Sequence, residues 1–135
     1  MQFGDADNNV LAIEPAYKAG CTVCHIKSLP TGNHATAALR NKVANLLSDL
    51  LVHDVGTGDG ISQGGADGTQ FRTAPLWGVG QRLFFMHDGT ASDLVAAILA
   101  HGGEATPVTL NFLGTGSVPL DATERQNLIY FLRSL

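Results

Sequence analysis

The chain has little with which to span a bilayer. Its longest helix-like run free of polar side chains, residues 94–100, covers seven positions, whereas a membrane helix needs about 20. An excess of basic charge is also lacking. Lys and Arg total 8 against 12 Asp and Glu, a formal charge of −4, opposite in sign to the basic patch of a nucleic-acid binder. Residues 1–7 have neither a basic start nor an apolar stretch, so no signal peptide is visible. Either a leader has been removed or the chain starts inside a longer protein. Charged residues make up only 15% and hydrophobic ones 44%, which excludes a disordered chain.

What remains is one domain, residues 1–135, with residues 1–13 expected as an extended N-terminal arm. Glycine is plentiful, 16 of 135, and predicts long loops rather than a tight bundle.

Cysteine is scarce: Cys21 and Cys24 are the whole supply, and both lie in Cys21-Thr22-Val23-Cys24-His25. Three chemistries use such a motif. A redox dithiol needs only the two thiols and usually follows a strand. A zinc half-site needs a second ligand pair at similar spacing, and no second cysteine pair exists. Covalent c-type haem uses all three residues: thiols three positions apart on a helix add to two vinyl groups, and His25 ligates the iron. A first-turn proline, Pro15, and the small residues Ala16, Ala19 and Gly20 suit a short helix presenting this motif. Residues 16–24 are expected to form it and to cross a C-terminal helix, residues 122–135. There Asp121 and Glu124 resemble a capping box, and Leu128, Ile129, Leu132 and Leu135 follow at helical spacing. The expected architecture is all-α, a class I cytochrome c-like fold with long loops and at most short β-strands. Residues 93–101 read as a further helix, capped by Ser92 and ended by Gly102-Gly103. Residues 39–55 fit helical spacing but also admit short strands.

Residues 56–68 form a glycine-rich loop. Asp59 and Asp67 within it invite a calcium reading, but their spacing does not match an EF-hand loop and no glutamate closes it. A mobile loop is the plainer expectation.

Three further stretches narrow the reading: residues 71–80 (FRTAPLWGVG), residues 85–91 (FMHDGTA) and residues 98–105 (ILAHGGEA). With Cys21-Thr22-Val23-Cys24-His25 and residues 48–56 (SDLLVHDVG), they resemble the bacterial di-haem cytochrome c peroxidase superfamily. The likeness is greatest to its thiol oxidoreductase, or di-haem oxidoreductase, branch, and runs from about Ala19 to the C-terminus. Members are longer and carry two haem domains; this chain resembles the C-terminal one, which in the peroxidases transfers electrons while the N-terminal haem meets peroxide.

The resemblance implies a ligand set. In the peroxidase relatives a distal methionine lies fourteen positions after the His-Asp-Gly histidine; counted from His87, that position holds His101. His25 and His101 are therefore the expected iron ligands. Met86 is the alternative to His101, because His/Met ligation is common in small cytochromes c. Arg72 matches a basic residue of the relatives and is a potential propionate partner. Trp77 is expected to pack near the macrocycle. His87 is expected to order its turn, His53 to order one or to reach a propionate, and His34 to be a loop residue.

The leading functional expectation is a monohaem electron-transfer domain with one covalent haem c. Its partners would be redox proteins and a second haem domain in the same or another chain, with no nucleic acid and no membrane span. Covalent attachment outside the cytoplasm implies a periplasmic or otherwise exported protein. The alternatives are a peroxidase or thiol oxidoreductase enzyme, for which Glu104 or His87 would serve as proton carrier, and a sensory module whose ligand switches.

Overall fold

The computed structural model describes residues 6–135, with side chains from residue 13 onward. Helix α1, Ala6–Ala19, leads directly into the cysteine motif. It occupies most of the expected N-terminal arm; the rest of that arm, residues 1–5, lies outside the described residues. Pro15 therefore sits inside the helix rather than in its first turn, at the loss of one intrahelical hydrogen bond. The helix ends because Gly20 adopts a left-handed conformation at φ +94°, where a side chain would be strained. Cys21–Val23 then form a 3-10 turn instead of continuing the helix.

Helix α4, Ala122–Ser134, is stopped at its start by the expected capping box: Glu124 N–H donates to Asp121 Oδ1 at 2.9 Å, and Asp121 N–H to Glu124 Oε2 at 2.7 Å. It packs across α1. Ala16 and Ala19 make the close approach possible, Ala19 being fully buried, and Leu128 and Phe131 answer from α4. Leu47, Phe112 and Leu120 complete this core. Asn111, buried in helix α3 (Thr106–Leu113), donates to Ala19 O at 3.1 Å and satisfies an end carbonyl of α1.

A second core joins Val79, Phe85 and Ala91 to Leu94 and Ala97 of helix α2, Leu94–Leu99. Asp93, not Ser92, caps α2 by accepting from Ala96 N–H at 2.8 Å. Leu76, Ile129, Leu132 and Leu135 touch both cores.

The all-α, class I cytochrome c-like expectation is corrected by two antiparallel sheets. Strand β1 (Leu29–Pro30) pairs with β2 (Val43–Ala44), and β3 (Val52–Asp54) with β4 (Gln70–Arg72), in the register Val52↔Arg72, His53↔Phe71, Asp54↔Gln70. The architecture is mixed: among the described residues there are four α-helices and two small sheets. The physical reason lies in residues 39–55. Asn41, Leu47 and Leu50 have φ of +50°, +52° and +61°, which no α-helix permits, so the leucine spacing there does not serve a helix. Among the described residues no helix is long and apolar enough to cross a membrane.

Candidate functional site

The segment that follows α1 is held by main-chain hydrogen bonds from residues 47–49. Leu47 N–H donates to Lys27 O, Ser48 N–H to Ile26 O, and Asp49 N–H to Cys24 O at 2.8 Å. Ser48, fully buried, anchors this backing strip by donating from its hydroxyl to Thr73 O at 2.8 Å.

On this backing His25 has one nitrogen committed. Its Nδ1 lies 2.9 Å from Leu47 O; a carbonyl only accepts, so Nδ1 carries the proton and Nε2 keeps its lone pair. Burial lowers the His25 pKa more than the Leu47 hydrogen bond raises it, and the neighbouring His101 ring lowers it further. A neutral imidazole with an anchored Nδ1–H is the form that ligates a metal. His101, half-buried after the end of α2, is arranged alike: its Nδ1 lies 2.6 Å from Ala97 O, which fixes the same tautomer. The fold thus brings His25 and His101 within electrostatic reach of each other, and each holds its Nδ1–H on a carbonyl.

Cys21 and Cys24 are free thiols. Burial pushes Cys21 up to about 11. Cys24 is raised by burial and by the negative charges of Asp49 and Glu104. A reactive dithiol needs the opposite, a thiolate stabilised near neutrality, so the pair is unsuited to disulfide exchange.

Beside Cys24 lies a network that sequence reasoning missed. His53 Nε2 is 2.9 Å from Asp49 Oδ2, and His53 Nδ1 is 2.9 Å from Glu104 Oε2. The Glu104 and Asp49 hydrogen bonds raise the His53 pKa. Burial works to raise Asp49, but the bonds from His53 and Leu51 N–H outweigh it and hold the carboxyl below its ordinary value. One atom each of Cys24, Asp49 and His53 lie within 4.8 Å of one another, yet both nitrogens of His53 are engaged by carboxylates and the thiol is kept protonated. This is an ion-pair network rather than a nest of free metal donors. Its signal in the sequence was the four-residue spacing of Asp49 and His53; Glu104, 51 positions on, carried none.

The other sequence-derived residues are placed as follows. Trp77 is exposed, and its indole N–H donates to Asn45 O, beside the backing strip. Arg72 is exposed on β4 and makes no ion pair among the described residues. Met86, half-buried at φ +66°, packs against the second core. His87 stacks on Phe71, with ring centroids 3.9 Å apart, and its turn is ordered instead by Asp88, which accepts from Thr90 N–H and Oγ1–H. His34 accepts from Thr36 N–H in its loop. The Asp59 and Asp67 carboxylates each cap their own turn, through Ile61 N–H and Thr69 N–H. Their calcium role has no further support here.

The donor set fits a c-type haem: two protonated thiols three positions apart, and two histidines whose Nδ1–H groups are anchored on main-chain carbonyls. In comparisons with known proteins, the family model described as "Di-haem oxidoreductase, putative peroxidase" matches residues 12–135. Neither the curated proteins nor the solved structures gave a match.

Proposed function

Because the chain belongs to the di-haem oxidoreductase family, whose membership implies a haem, we propose that it is a c-type haem domain that passes single electrons between redox partners. Cys21 and Cys24 would hold the haem by thioethers, each S–H adding across a vinyl group. His25 and His101 would ligate the iron. When bound, the haem supplies a reversible one-electron centre. The observation that carries the reading is the shared arrangement of His25 and His101, whose Nδ1–H groups are fixed on Leu47 O and Ala97 O.

The chain's own residues account for the rest. Anchoring both rings in advance limits their reorganisation when charge changes. Two histidine ligands leave no position for a substrate, and they favour the oxidised state more than a methionine would. Raised thiol pKa values slow attack by Cys21 and Cys24 on a disulfide before attachment. Trp77 is exposed and bonds to Asn45 O, two residues before the backing strip, and would be open to a redox protein or a second haem domain. Attachment outside the cytoplasm makes this an exported protein.

The family's description as a peroxidase supports a second, enzymatic reading. Against it, Glu104 is occupied by His53 and by Asp54 N–H, so it is not a free proton carrier. The test is peroxide addition to the resting and reduced holoprotein under stopped flow. An unchanged axial-ligand spectrum supports electron transfer; rapid peroxide turnover supports the enzyme. Denatured protein should retain one haem per chain, whereas extraction of the haem into acid acetone would overturn covalent attachment.

A further inference from the structure

We propose that His53 is the positioning residue for the distal ligand, joining Asp49 on the Cys24–His25 side to Glu104 in the turn that follows His101. The inference rests on the assignment of His25 and His101 as the two axial ligands. The chain of contacts is continuous. Asp49 N–H donates to Cys24 O at 2.8 Å. The Asp49 carboxylate meets His53 Nε2, and Glu104 meets His53 Nδ1, each at 2.9 Å. Glu104 Oε1 accepts from Asp54 N–H at 3.0 Å, and Gly102 N–H donates to Val55 O at 2.6 Å.

The segment bearing the distal histidine is thus tied to the end of β3 by main chain and by Glu104. Through His53, β3 is tied to the segment bearing the proximal histidine. Gly103 makes the contact close: its φ is +52°, and a Cβ there would run into Asp54 O and Gly56 N. On the far side, Thr109 Oγ1–H donates to His101 O at 2.5 Å.

His53 can fill this role only as an imidazolium. Both its nitrogens face carboxylates, which only accept, so both must donate. The groups facing it are Asp49 from the backing strip, Glu104 from the turn after α2, and Cys24 and His25 from the cysteine motif. Its side chain is 19% exposed and that of Asp49 11%, so this pair is less screened by water than a surface pair. With His53 neutral or absent, two carboxylates confront one another across the joint, and the turn carrying His101 loses its tie to the Cys24–His25 side and is loosened.

Carbon monoxide binding to the reduced holoprotein reads this loosening, because His101 must leave before the gas enters and the gas does not titrate. Removing a residue that orients a metal ligand typically weakens ligation about 10- to 100-fold. At pH 6, His53→Ala should speed carbon monoxide binding at least about tenfold, and the exposed control Lys18→Ala should not. Wild type should bind faster as pH rises above the ordinary histidine value, and His53→Ala should lose that dependence. Adding Glu104→Gln to His53→Ala removes the confrontation and should slow binding again; Glu104→Gln alone keeps the test available if His53→Ala does not fold, and should flatten the pH profile. The spectrum of the wild type separates the two levels of the account. If wild type shows a methionine ligand or an open site, the ligand assignment fails. If it shows two histidines while the rate and pH profile of the His53 and Glu104 variants match wild type, the His53 role is wrong.

Discussion

His25 Nδ1 lies 2.9 Å from the carbonyl oxygen of Leu47, a residue whose own backbone is left-handed at φ +52° and whose side chain is buried in the first core. One residue thereby links core packing to the orientation of the His25 imidazole. These two roles separate by substitution. Leu47→Ala keeps the carbonyl and should cost about 2–5 kcal/mol of stability with the haem spectrum unchanged. Leu47→Pro cannot adopt the positive φ and loses the N–H bonded to Lys27 O, so it should cost at least about 3 kcal/mol and reduce haem incorporation. Urea unfolding and absorption spectra of the holoproteins check both.

Gly103 tests the packing of the turn that follows His101. Gly103→Ala meets both a left-handed φ and main-chain atoms of Asp54 and Gly56, and should cost about 1–3 kcal/mol. Gly32→Ala, at φ +66° with open space around it, should cost only the strain of the left-handed φ, about 1 kcal/mol. Thermal unfolding of the two variants should therefore differ by several degrees. Equal melting temperatures would show that the turn does not depend on that contact.

How much of this was legible in the sequence depends on the reach of each interaction. The α4 capping box was read correctly because Asp121 and Glu124 are three residues apart and the interaction is local. The family resemblance, read from short motifs, is borne out by a match over residues 12–135. Pro15 misled, since an interior proline looks like a helix start when tertiary packing is unseen. Residues 39–55 admit both a helix and short strands in the sequence, because no spacing of leucines reports the positive φ of Leu47 and Leu50. Helix α3 has ordinary local punctuation in the sequence, Pro107 near its start and Gly114 at its end, φ +85°. In the Asp49–His53–Glu104 network only the four-residue spacing of Asp49 and His53 is local, and Glu104, 51 positions from His53, has no local signal.

The same network has a pH signature with a definite sign. His53 is raised by its carboxylates, so its contribution is fully present below the unfolded value of about 6.5 and is lost as pH rises through the folded value. Asp49 and Glu104 are lowered. Their contributions are present above the unfolded carboxylate values of about 4 and are lost as pH falls through the folded ones. Stability from the network should therefore peak between about pH 4 and 6.5. Unfolding free energy of wild type minus that of His53→Ala, followed across pH, should show this plateau; a difference that is flat from acid to alkaline pH would contradict it.

The thiols make a separate prediction for the chain before haem attachment. With Cys21 raised to about 11 and Cys24 raised as well, alkylation by iodoacetamide at neutral pH should be slower than for an unstructured cysteine peptide. The Cys21 rate should rise steadily with pH and level off only near about 11. Fast, pH-independent labelling near neutrality would instead mark a thiolate and a redox motif.

Near-infrared magnetic circular dichroism of the oxidised holoprotein reads whether His25 and His101 together ligate the iron. The account predicts a low-spin signal of two imidazoles with no methionine-to-iron band, unaltered in Met86→Leu. His101→Met should introduce that band and raise the reduction potential. A methionine band in the wild type, lost in Met86→Leu while His101→Ala stays low-spin, would contradict the account.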